Sequence, residues 1–204
     1  MLAQRQRREE SQQGTTMLEV LVTIVILAFG MLGLAGLQSK IFVAEMESYQ
    51  RGQAVLLLND MVERMNANRD AAASYVLLPT TVPPAAPTTI GTDGNAPADC
   101  AAVAAGVARD QCEWSNALKG AAETSGTAKV GGMIGALGCI TPVQSQNTAA
   151  GTCTPGIYLV SVAWQGLNAT SSPSALCGQG SFGSDDRLRR VVSARVSIGL
   201  PACE

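Results

Sequence analysis

A carboxylate set inside an apolar run is the first feature of this chain that could do chemistry. Glu19 is the only charged residue of segment 17–37, MLEVLVTIVILAFGMLGLAGL, and Thr23 is its one other clearly polar side chain. An ionisable group within a membrane-length apolar stretch costs a few kcal/mol, and such groups are functional by default. A carboxylate there needs a cation, and no nearby side chain supplies one. A new chain terminus at Thr15 would, because an α-amino group has a pKa of about 8 and is charged at neutral pH. Thr15 lies four residues before Glu19, about one helical turn away. The amine could reach Glu19 in its own chain or, with an axial offset, in a neighbour.

Six cysteines, Cys100, Cys112, Cys139, Cys153, Cys177 and Cys203, form the second chemical set. None makes a CxxC or other close ligand pair, and the chain has no histidine. Zinc and redox chemistry are therefore not expected, and disulfides in an oxidising compartment are. Short loops close most easily, which favours Cys100–Cys112, Cys139–Cys153 and Cys177–Cys203. The lack of histidine also removes Ser-His-Asp and Cys-His triads, and no nucleophile elbow is present. No enzyme activity, metal or cofactor is expected. With 14 Lys+Arg against 16 Asp+Glu, the 204-residue chain has a net charge of −2 and no broad basic surface for nucleic acid.

The elements that position these groups follow from patterning. From Val20 to Leu37 no residue is charged, and about 20 apolar residues suffice to cross a bilayer as a helix. Arg5, Arg7 and Arg8 precede the span, and Lys40 alone follows closely, which places residues 1–14 in the cytoplasm. The run is longer than a secretory h-region, and no small-x-small cleavage site follows it. A plain signal anchor would leave Glu19 unexplained. Proline is missing up to Pro79, and Val55, Leu58, Val62 and Met65 recur at helical spacing. Glu47–Arg51 and Asp60–Arg64 are i,i+4 pairs with the acid first. One helix is thus expected from about Thr16 to about Tyr75, roughly 90 Å long. Gly30, Gly33 and Gly36 read as ordinary glycine usage in a membrane helix, or as a strip for close packing.

Residues 79–99 hold five of the nine prolines and read as a connector. Residues 110–122 suggest a short helix with Trp114 and Leu118 inward. Residues 157–167 and 189–199 alternate as half-buried strands, and 133–143 is a weaker one. In the first strand Tyr158, Val160, Val162 and Trp164 share a face; in the last Val192, Ala194, Val196 and Ile198 do. The expected class is α+β, a long N-terminal helix packed on a small antiparallel sheet. Asp185-Asp186 and the basic run 187–190 read as a solvated turn, and Asn168-Ala169-Thr170 as a weak glycosylation match.

Gly14-Thr15-Thr16-Met17-Leu18-Glu19-Val20-Leu21-Val22 resembles the class III signal of type IV prepilins. That signal is a basic leader ending in glycine, a residue to be methylated, and a glutamate at the fifth mature position of an apolar helix. The resemblance implies cleavage after Gly14 by prepilin peptidase, N-methylation of Thr15 and an assembly role for Glu19. The family's usual first mature residue is phenylalanine, and threonine here is a departure. Removal of 1–14 would leave 11 cations and 14 anions, net −3. With GMLGLAGLQ at 30–38, LLLNDMVERMNANR at 56–69 is similar to minor pilins of the PilV, or pilus-modification, type. Major pilins commonly carry a proline in the apolar half-helix, and this chain has none there.

The resemblance implies a pilin-like layout: leader 1–14, membrane and assembly half-helix 15–37, amphipathic half-helix 38–78, and a disulfide-bonded head 79–204. It implies a minor pilin, incorporated into type IV pili or priming their assembly. It also implies an inner-membrane stage with a periplasmic head, then the surface pilus. The partners implied are prepilin peptidase, other major and minor pilins, the inner-membrane assembly platform and the lipid bilayer, with no nucleic acid. A minor pseudopilin of type II secretion shares the N-terminal chemistry and stays open, as do a signal-anchored extracytoplasmic enzyme and an adhesin.

Overall fold

A computed structural model describes residues 14, 16–77, 87–92, 97, 99–120, 124–125, 128–129, 133–147, 149 and 153–199. The chain forms two compact units, Met1–Glu45 and Met46–Glu204. Helix α1, Met17–Ala67, contributes its first part to one and its last part to the other. In the first unit the helix is apolar all round. Leu18, Leu21, Ile24, Leu27 and Phe29 are all more than half exposed, as no described residue of their own unit covers them.

The second unit has the expected α+β class. After α1 come a 3-10 helix, Arg69–Tyr75, strand β1, Ile90–Gly91, and helix α2, Val107–Leu118. The short strands β2, Thr124–Ser125, and β3, Ala128–Lys129, pair with each other. Strands β4, Leu137–Gln144, β5, Gly156–Gln165, and β6, Arg189–Ile198, form an antiparallel sheet in the order β1-β4-β5-β6. Val160 sits opposite Ile140 on one side and Ala194 on the other.

One core fills the space between this sheet and the helices. Ala54, Leu58, Met61 and Met65 of α1 meet Trp114 and Leu118 of α2 and the β5 row Tyr158, Val160, Val162 and Trp164. Val192, Ala194, Val196 and Ile198 join from β6, so both strand faces are as their alternation predicts. The opposite sheet face carries a smaller cluster of Leu137, Cys139, Ala163, Cys177 and Phe182.

The α1 stripe differs from the expectation by one position. The buried row runs 54, 58, 61, 65, while Val55, about 100° round the helix, is exposed. Both candidate rows share Leu58 and Met65, so spacing alone could not separate them. The α-helix also stops at Ala67, short of Tyr75. Asn68 leaves helical geometry at φ −115° and ψ 50°, and its amide side chain donates to Tyr75 Oη at 3.3 Å. That bond ties the end of α1 to the last residue of the 3-10 helix. Most of 79–99 lies outside the described residues, but Ile90–Gly91 is a strand rather than connector, paired with β4.

Gly138 marks the tightest approach of helix to sheet. A Cβ there would overlap the Trp114 ring and come 2.8 Å from Leu118 Cδ1. The Trp114 indole is itself fixed, donating to the Leu57 carbonyl at 2.8 Å. Gly138→Ala is therefore expected to overpack this contact and cost about 1–3 kcal/mol of unfolding free energy in denaturant titration.

Candidate assembly site

The helix N-terminus is built by Thr16. The Glu19 N–H donates to the Thr16 carbonyl at 3.0 Å and lies 3.4 Å from its hydroxyl. Thr16-x-x-Glu19 has the spacing of a capping box, a start signal that the sequence reading passed over. A carboxylate in the first turn also suits the positive end of the helix dipole. The Glu19 carboxylate is exposed and makes no ion pair among the described residues. Gly14 is exposed beside it in sequence, and Thr15 lies outside the described residues. Thr23 satisfies its hydroxyl on the Val20 carbonyl at 2.8 Å, so it does not interrupt the apolar surface.

α1 is long and apolar enough to cross a membrane, with an 18-residue window of mean hydropathy 2.6, none of it buried. A Cβ at Gly30, Gly33 or Gly36 would meet nothing within 4 Å, so no contact among the described residues requires these glycines.

In the second unit, Arg64 ties α1 to α2. Its Nε donates to Asp60 at 3.0 Å, the expected i,i+4 pair, and its Nη1 reaches Asp110 at 3.2 Å and Glu113 at 2.6 Å. Burial works against its charge, but hydrogen bonds to Glu113, Asp60 and Asp110 outweigh it and raise its pKa. Asp110 also accepts the Tyr75 hydroxyl, so the 3-10 helix joins the same knot. Burial, then the bond to Asp110, pushes the Tyr75 hydroxyl up to about 12.

The other expected pair, Glu47–Arg51, does not form. Glu47 turns to the 165–170 loop, where its Oε1 accepts from Leu167 N at 3.2 Å, Asn168 N at 3.3 Å and Arg190 Nη2 at 3.3 Å. Two backbone amides and a guanidinium give the carboxylate more donors than Arg51 alone on its own helix would. Asn168, of the glycosylation match, is held through its backbone: its carbonyl accepts from Arg190 at 2.7 Å.

Cysteine pairing follows the short-loop expectation once and departs from it once. Cys100 is joined to Cys112 of α2. Cys139 is joined to Cys177 instead of Cys153, and so Cys177 does not pair with Cys203. The reason is placement: Cys139 of β4 points to the sheet face that segment 173–187 crosses, and Cys177 lies on that segment. Cys153 is also disulfide-bonded, and Cys203 lies outside the described residues.

The same segment is fastened by Arg189, which is 1% exposed. Its guanidinium donates to the carbonyls of Ala175, Cys177 (2.9 Å) and Pro173 (3.0 Å). Its Nε lies 3.4 Å from Asp186, an ion-pair contact without hydrogen-bond alignment. Asp186 in turn accepts the Gly180 N–H at 2.9 Å. The turn read as solvated is therefore half buried: Asp185 stays exposed, while Asp186 points inward.

A membrane-length exposed helix joined in sequence to a disulfide-bonded α+β unit is consistent with a pilin-like fold. Residues 36–114 match the family model described as Tt1218-like, Type IV pilin Tt1218. That range takes in the later part of α1, the 3-10 helix, β1 and the first two thirds of α2, through Trp114. It begins after Glu19 and ends before β4, so the N-terminal signal and the sheet lie outside it. The match supports a type IV pilin subunit, a structural class of protein that interacts with other pilins in a pilus. No curated protein and no solved structure matches the chain.

Two outcomes test this description of the second unit. Tyr75 has its pKa raised from 10.0 to about 12, so above pH 10 the unfolded chain loses this proton first. Stability present below pH 10 should thus fall as pH rises towards 12, by up to about 2 kcal/mol, and Tyr75→Phe should flatten that part of a denaturation–pH profile. Arg189→Met should cost about 3–5 kcal/mol in the same measurement, since it strands Asp186 and three carbonyls.

Proposed function

We propose that the chain is a minor pilin made as a precursor. Prepilin peptidase cuts after Gly14 and methylates the amine of Thr15. Before the cut, arginines of segment 1–14 hold that end in the cytoplasm, and the disulfide-bonded head lies in the periplasm. Afterwards the stem leaves lipid for the filament core on the inner-membrane assembly platform. Glu19 of one subunit then meets the terminal amine of its neighbour and sets the axial register. The attraction is stronger in an apolar core than in water. What supports this reading is an exposed carboxylate with no cation partner among the described residues, five residues after Gly14, at the head of an apolar helix that those residues leave uncovered. The family match supports the pilin part independently, because it covers other residues. The minor role rests on the likeness of 30–38 and 56–69 to pilus-modification pilins.

Intact mass of the protein from sheared pili reads the processed end directly. The expected chain begins at Thr15 and carries one methyl group and oxidised cysteines. Glu19→Ala should leave membrane insertion unchanged and lower incorporation at least about tenfold, equivalent to about 1.4 kcal/mol. Normal incorporation of that variant would remove the register role. Recovery with a type II secretion machine instead of pili would assign the chain to the pseudopilins.

A further inference from the structure

The two edges of the four-stranded sheet are finished differently. The β4 edge is covered by its own chain: β1 pairs with Leu137 and Gly138, and the Leu77 N–H donates to the Ile140 carbonyl at 3.0 Å. The Arg189 N–H is taken by the Asp186 carbonyl at 3.0 Å, but among the described residues nothing pairs with the outer edge of β6 from Val191 to Ile198. The register shows which groups face out. The Gly166 N–H donates to the Leu188 carbonyl at 2.7 Å, one step beyond the Gln165–Arg189 pair. Hydrogen-bonded pairs alternate from there, so Val192, Ala194 and Val196 bond to β5. Val191, Ser193, Arg195 and Ser197 turn their backbone N–H and C=O to the open side. Long edges of this kind are usually blunted by charge, and here Arg195 is the only charged residue between Val191 and Ile198.

A cavity of about 350 Å3 runs beside this edge on its helix side, lined by Glu47, Ser48, Arg51, Trp164, Arg190 and the strand at 191–192. Glu47 and Arg190 neutralise each other across 3.3 Å. Arg51 is exposed and makes no ion pair among the described residues, which leave the cavity one uncompensated positive charge. Strand addition works through this combination: main-chain bonds give affinity, and a pocket for alternate side chains gives specificity. Every second side chain of an added strand would point to the helix side, over Ser48 and Arg51.

We propose that β6 receives an extended segment of a neighbouring subunit as a fifth strand, with an acidic side chain of that segment against Arg51. The nature of the neighbour as a filament subunit rests on the function proposed above; the strand site itself does not.

The test uses the full chain in producing cells, with the photo-reactive residue p-benzoylphenylalanine in place of Arg195 or, as reference, of exposed Asp70. The expected product from position 195 maps by mass spectrometry to one acidic segment of a partner subunit. It exceeds the yield from position 70 at least fivefold and falls at least fivefold in Arg51→Gln, a surface change that leaves the melting temperature unaltered. Ser197→Pro, which removes one outward N–H but fits an edge strand, lowers it too. A yield from 195 no higher than from 70, or one indifferent to Arg51→Gln, overturns the proposal. The N-terminal mass of the same material separates the two readings. A chain that starts at Thr15 in pili without the 195 product sinks only the strand site. The 195 product on a chain that starts at Met1 sinks only the processing scheme.

Discussion

An apolar helix that the described residues of its own unit leave bare needs a cover from elsewhere. That constraint governs the rest of the molecule. Burial of apolar area is worth about 25 cal/mol per Å2, so a stem exposed along 17–37 carries a large driving force towards lipid or towards other stems. The force has no direction and no register. In the assembly proposed above, a single carboxylate in the first turn would supply what hydrophobicity lacks, because a charge pair is satisfied at only one axial offset. Thr16 contributes by capping the turn that presents Glu19.

The second unit answers to a different demand. Its helices carry modest apolar stripes, and the sheet offers few large side chains, with 4% aromatic residues in the whole chain. Cohesion is therefore concentrated in a few ties. Trp114 packs into the space that Gly138 leaves and bonds to the α1 backbone. Arg64 gathers acids from both helices, and two disulfides fix α2 and segment 173–187.

Much of this was legible in the sequence, and the failures have physical causes. Strict alternation revealed both faces of β5 and β6, because a period of two cannot be mistaken for a helix. Trp114 and Leu118, four apart, marked the inner face of α2. The α1 face was ambiguous because an alanine in the buried row looks weaker than a neighbouring valine that is exposed. Its end at Ala67 was written in Asn66 and Asn68 but outweighed by the distance to the first proline. The Cys139 partner was misread because loop closure grows only logarithmically with length. The difference between the expected and the observed loop is under about 1 kcal/mol, less than fold placement can override. The cavity beside β6 was invisible, since Glu47 and Arg190 are far apart in sequence and each looked like a surface charge. At the N-terminus the chemical pattern stood out, while the cap at Thr16 went unnoticed beside it.

Arg189 grips segment 173–187 by its carbonyls, and every amino acid has a carbonyl. The grip is therefore blind to the side chains it holds in place. Ser174 and Leu176 point outward from a backbone that is pinned on both sides of them. Replacement at those two positions changes what the head displays without loosening how it is built. The chemistry of this exposed patch can thus vary freely while the scaffold beneath it stays the same.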